Sequence, residues 1–149
     1  MARIRHIAIA TKDIEKAKKF YMDVFGMQMV RRTDRPTHVG YILTDGYINL
    51  AILNFLDDGA AGREFGSEYT GLHHIGFQVD DIEASATKVA TAGGRIRSDI
   101  DAAFGPTKKQ AGRGDGEFKY SDPNGVLFDL SQGGWGITPA ASDAMAGAH

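Results

Sequence analysis

Between Arg3 and Ala10 apolar and polar side chains alternate and isoleucine recurs, as on a half-buried strand. The period then changes. Ile14, Ala17, Phe20, Tyr21, Val24 and Phe25 are spaced by threes and fours, which predicts an amphipathic helix over residues 13–25. Thr11 or Asp13 can accept an orphan backbone N–H at its start, and Gly26 suits the left-handed residue at its end. Strand-like stretches follow at 27–32, 37–43 and 47–55, with Asp45-Gly46 as a hairpin signal between the last two. The unit is βαβββ.

The second half repeats it. Residues 72–79 read as a strand. Residues 81–92 read as a helix with Ile82, Ala86 and Val89 on one face, closed by Gly93-Gly94. Strands are expected at 95–100, 117–121 and 126–131, and Asn124-Gly125 holds the turn that Asp45-Gly46 holds in the first copy. With His6 set over His74, an offset of 68 residues, His-Ile and Asp-Ile-Glu recur in register and Gly26 falls over Gly94. A plain ferredoxin-like domain would require this repeat to be accidental. The predicted class is α+β, with two tandem βαβββ modules in one domain, 1–135. Module one is 3–56, a polar linker is 57–70 and module two is 71–135. The tail 136–149, small and polar from Thr138, is expected to be flexible.

Composition narrows the function classes. A chain of 149 residues, 42 % hydrophobic, can bury a core without a staple. No cysteine excludes a disulfide scaffold, a thiolate metal site and a thiol nucleophile. Seventeen Lys+Arg against nineteen Asp+Glu, with no basic block, argue against nucleic acid. No apolar run reaches membrane-spanning length, and the start lacks a signal-peptide core, so a cytoplasmic protein is expected.

The phrases RHIAIATKDIEKAKKFYMDVFGM, LHHIGFQVDDIEASATKVATAGG and FKYSDPNGVLFDLS carry a resemblance to the vicinal oxygen chelate superfamily of glyoxalases, bleomycin-resistance proteins, methylmalonyl-CoA epimerases and extradiol dioxygenases. The resemblance covers about residues 3 to 135. It implies a cupped mixed sheet around a shared cavity and one divalent metal ion held by up to four inward residues. Carried onto this chain, those are His6, Asn49, His74 and Asp129. Small neighbours support the histidines as inward-facing: Ala8 and Ala10 share a face with His6, Gly76 and Gln78 with His74. Asn49 and Asp129 stand as polar residues amid apolar neighbours on the closing strands, and each needs a partner if buried. Two histidines and a carboxylate suit Fe, Mn, Ni, Zn or Co. A homodimer is implied by analogy.

The chain departs from the family at two positions. Asn49 stands where Glu or Gln is usual, and Asp129 where Glu is usual, so both side chains are one methylene short. Asn49 is no base; it is either a ligand or a hydrogen-bond donor beside the ligands, and Asp129 or another residue must move protons. The dioxygenase pattern places tyrosine where Lys119 stands, with Tyr120 one residue off. The expected function is therefore a metal-dependent enzyme that chelates a small oxygen-bearing substrate and stabilises an enolate or oxyanion, with a lyase, isomerase or dioxygenase outcome. The catalytic candidates are Asp129 and Asn49. The alternative is a metal-free binding or drug-sequestering protein. His73 is expected to point away from His74, toward helix or solvent. His38 has an open role and His149 none. Arg31, Arg32 and Arg35 read as surface charge. Loop 104–117, with Lys108, Lys109 and Arg113, either closes over an anionic substrate or is a solvated hairpin. Phe104, Phe118, Tyr47 and Trp135 either line a pocket or pack as core.

Overall fold

The computed structural model describes residues 1–104 and 116–141. Strand β1 (Arg3–Ala10) leads into α1 (Ile14–Phe25), β2 (Gln28–Arg35), β3 (His38–Thr44) and β4 (Asn49–Phe55). After a short helix α2 (Asp58–Ala61) come β5 (Gly71–Gln78), α3 (Ile82–Thr91), β6 (Arg95–Ile96), α4 (Ser98–Ala103), β7 (Glu117–Ser121) and β8 (Leu127–Ser131). The class is α+β, and the two βαβββ modules form one eight-stranded mixed sheet in the order β2-β3-β4-β1-β5-β8-β7-β6. The opening strands meet antiparallel at the centre, and each is flanked by the parallel closing strand of its own module.

The expected local signals operate. Asp13 caps α1 by accepting from the Lys16 N–H, and Gly26 ends it at φ 67°. Asp81 caps α3 in the same way. Helix α1 packs against one face of module one through Ile14, Tyr41, Leu43, Leu50 and Ile52. Helix α3 covers the same side of module two through Ile82, Ala86 and Val89 against Val79, Tyr120 and Leu130. Alternation sends His6, Ala8 and Ala10 to the opposite face. There Ala8 and Ala10 meet Leu53 and Phe55 together with Ala60 and Ala61 of α2 and Ala103 of α4.

Two segments differ from expectation. The linker contains α2, capped by Asp57 on the Ala60 N–H. The strand expected at 95–100 stops at Ile96, and the chain turns into α4. Acidic Asp99 and Asp101 favour a helix first turn. Arg97 fixes the turn through Glu64 and Asp99. Asp101 then accepts from the Lys119 backbone N–H at 3.2 Å, which ties α4 to β7. Of the tail, residues 136–141 are described. They have no regular structure, but Ala140 donates to the Met29 carbonyl at 2.8 Å. Loop residues 105–115, with Lys108, Lys109 and Arg113, and the terminus with His149, lie outside the described residues. Among the described residues no helix is long and apolar enough to cross a membrane.

Candidate metal centre

Strands β1, β5 and β8 bring His6, His74 and Asp129 together at the middle of the sheet. One ligand atom from each lies within 4.8 Å of the others, and all three residues are buried. His6 Nε2 is 3.1 Å from His74 Nε2. Asp129 Oδ2 is 3.2 Å from His74 Nε2 and 3.9 Å from His6 Nε2.

The hydrogen bonds behind the rings fix where the protons sit. Asn49 Nδ2 donates to the Gly136 carbonyl at 2.7 Å, so its Oδ1 faces His6 Nδ1 at 2.8 Å and accepts that proton. On the other ring the relay is longer. His73 Nε2 donates to the Ala61 carbonyl at 2.6 Å. Burial holds His73 at about 4 and His74 at about 3, so both rings are neutral near pH 7. His73 Nδ1 is then an acceptor, and His74 Nδ1–H donates to it at 2.7 Å. The His74 Nε2 is left with a lone pair that faces His6 Nε2. Asp129 Oδ2 is buried beside them and accepts no hydrogen bond. Two imidazole Nε2 atoms and an orphaned carboxylate oxygen converge, and such a set is stabilised by a cation.

The remaining carboxylate oxygen is taken. Lys119 Nζ donates to Asp129 Oδ1 at 2.7 Å, and both residues are almost fully inaccessible. Burial opposes charge on both. For Lys119 the Asp129 charge outweighs burial and raises the ammonium's pKa; for Asp129 the neighbouring His74, with the Lys119 ammonium, outweighs burial and holds the carboxyl low. Trp135 stacks on His6 with centroids 4.8 Å apart and donates Nε1–H to Glu117 Oε2 at 2.6 Å. Gly76 makes room for that ring: a Cβ there would sit 2.6 Å from the indole. A cavity opens from this centre, walled by Asn49, Lys119, Glu117, Trp135, His38 and Phe104.

Three of the four carried-over positions therefore converge, and Asn49 stands behind His6. His73 corrects the expected alternation. Ala8 pairs with His74 and Ile9 with Leu72, so His73 is an extra residue in a β-bulge. The bulge turns it to the same side as His74, where it packs on Phe55 and Phe65. Asp129 is also displaced from its expected equivalence with Asn49. His6 pairs with Asn49, whereas Asp129 pairs with Gly76, two residues past His74. Of the four candidate aromatics, Phe104 and Trp135 line the cavity. Phe118 packs under α3, and Tyr47 lies exposed beneath the Arg5 guanidinium. Lys119 stands out in sequence only as a departure from the tyrosine pattern, and its pairing with Asp129 becomes visible in the ladder of β7 and β8.

The fold is a two-module mixed sheet whose centre gathers His6, His74 and Asp129, a group that could hold a metal ion. The family model of the Glyoxalase/Bleomycin resistance protein/Dioxygenase superfamily matches residues 3–130, and the chain belongs to that superfamily. It is 28 % identical to the ethylmalonyl-CoA/methylmalonyl-CoA epimerase of Cereibacter sphaeroides over 89 % of this chain and 98 % of that one. It is 28 % identical to a probable lactoylglutathione lyase of Vibrio parahaemolyticus over 87 % and 90 %. A variant of Streptomyces coelicolor methylmalonyl-CoA epimerase, solved with 2-nitronate-propionyl-CoA, superposes with a TM-score of 0.61 at 26 % identity, covering 86 % of this chain and 92 % of that one. These relatives are enzymes, in agreement with the expectation of an enzyme.

Proposed function

We propose that the chain is a metal-dependent lyase or isomerase of this superfamily, acting on a small substrate through two of its oxygens. The observation that carries the reading is the convergence of the His6 and His74 Nε2 atoms on the orphaned Oδ2 of Asp129. That donor set, two imidazoles and one carboxylate, suits Fe, Mn, Ni, Zn or Co. A cation held there supplies Lewis acidity toward substrate oxygens. Asn49 and His73 hold the two rings in the tautomer that offers Nε2. Lys119 adds a second positive charge on the cavity wall, where negative charge develops on a substrate oxygen as an enolate forms.

Asn49 has no ionisable group, so it orients rather than moves protons. We assign the proton transfer next to a substrate carbonyl to Glu117, the carboxylate that lines the cavity. The epimerase and lyase relatives favour this chemistry over ring cleavage, which the Lys119-for-tyrosine departure also disfavours. One observation favours the metal-free alternative: Lys119 already gives Asp129 a counter-charge.

The test is metal content after purification without chelators or a His-tag. We expect near-stoichiometric metal in wild type and its loss in His74→Ala and Asp129→Ala. Less than about a tenth of an equivalent in wild type, with no metal-induced rise in melting temperature, overturns the metal reading in favour of the binding protein.

A further inference from the structure

The cavity does not end at the metal centre. It runs across module one to the edge strand β2, where Arg31, Thr33 and Arg35 line it together with His38 of β3. Alternation puts the first three on one face, and Arg35 pairs directly with His38 in the ladder. Thr33 and His38 are buried, whereas the two arginines stand exposed at the mouth. Arg32, between them in sequence, points to the other face and is engaged there by Glu15 and Tyr41. The side chains of Arg31 and Arg35 make no hydrogen bond or ion pair among the described residues. Two like charges thus share one cavity wall without a counter-ion, on either side of a threonine hydroxyl.

We propose that Arg31, Thr33 and Arg35 form an anion subsite for a carboxylate or phosphate group carried by the substrate away from its chelated oxygens. Guanidinium forks match both anions with paired N–H donors, and the hydroxyl adds a third. Strand β2 lies three strand spacings from β1, on the order of 14 Å along the sheet, and the inward-reaching arginine side chains shorten that span. The substrate class is therefore an elongated one, with the reacting oxygens at one end and an anionic group well separated from them. A compact hydroxy acid would reach one end only. This inference rests on the proposed function for the reacting end, but the anion subsite is measurable without it.

The test is isothermal titration of the full-length protein with inorganic phosphate and, separately, with succinate at constant ionic strength, before and after EDTA treatment. The variants are Arg31→Gln/Arg35→Gln and, as a control on the other face of the same strand, Arg32→Gln. Wild type should bind at least one anion with and without EDTA, and the one bound more tightly identifies a phosphate- or a carboxylate-bearing substrate. The double variant should lose at least about tenfold in affinity, with an unchanged circular dichroism spectrum, while Arg32→Gln binds as wild type does. The proposal is overturned if wild type binds neither anion, or if the double variant binds as tightly as wild type. It is equally overturned if binding disappears with EDTA, which would make the anion a metal ligand. A chain that carries no metal yet binds anions through these arginines would defeat the metal reading and leave the subsite standing.

Discussion

The two modules solve one problem by different means. Each offers a histidine through Nε2, and each must hold the proton on Nδ1. Module one uses Asn49, directly opposite His6 in the parallel ladder and anchored by the Gly136 carbonyl. Module two has no such amide. The β-bulge inserts His73 beside His74, and His73 does for the second ring what Asn49 does for the first. With that role filled locally, the closing strand of module two is released to bring in Asp129 two residues further along. Module one is thereby the neutral half of the centre and module two the charged half. A duplicated fold does not require duplicated roles: the bulge lets the closing strands carry a support residue, Asn49, in one copy and a buried carboxylate, Asp129, in the other.

The charged half should be the more sensitive. Removing Asp129 strands the buried Lys119 ammonium, and Asp129→Ala is expected to cost about 3–5 kcal/mol in urea unfolding. Asn49→Ala, which loses neutral hydrogen bonds, should cost roughly 1–2 kcal/mol. Similar costs would break the division between the halves. Lys119→Met sharpens it, because added divalent metal should restore stability to this variant and not to Asp129→Ala.

Next in size is a pH effect. Burial lowers His73 to about 4 and His74 to about 3 from an ordinary 6.5, so the unfolded chain takes up protons first as pH falls. Their contribution is fully present above about 6.5 and is lost between that pH and the folded values. Chelator-treated protein should lose on the order of 3 kcal/mol or more between pH 6.5 and 4. His73→Gln should flatten that slope, and an unchanged slope would remove His73 from its place in the relay.

The equivalence of the two supports is tested by metal affinity. His73→Ala and Asn49→Ala should each weaken it by about 10- to 100-fold in competition titrations. An effect in only one variant would show that only one ring needs its partner. The covering of His6 is tested at Gly76, where Gly76→Ala must displace Trp135 from the ring. A cost of roughly 1–3 kcal/mol and a change in tryptophan fluorescence are expected.

Much of the fold is legible because periodicity changes cleanly from 2 to 3.6 and back, and because Asp13, Gly26 and Asp81 are strong local signals. The failure at 95–100 has a local cause. Arg95 and Ile96 begin a strand, but the acidic turn from Ser98 and the Arg97 ion pairs override alternation. The bulge at His73 was illegible, since one extra residue leaves a strand's composition unchanged while reversing every facing inference beyond it. His6 and His74 could be named because the repeat sets them over each other, and Asp129 because the stretch FKYSDPNGVLFDLS resembles the family's closing strand. Lys119 could be seen only as an off-pattern residue, because its meaning depends on the register that sets it opposite Asp129.

The strap after β8 bears on the order of assembly. Trp135 covers the ring of His6, and Gly136 anchors the amide that orients it, so a histidine of β1 depends on residues that follow β8. During synthesis, module one can lay down its sheet while His6 still lacks its final environment. The centre is completed only after residue 136 has emerged, and a chain cut just past β8 would retain His6, His74 and Asp129 yet present His6 incorrectly.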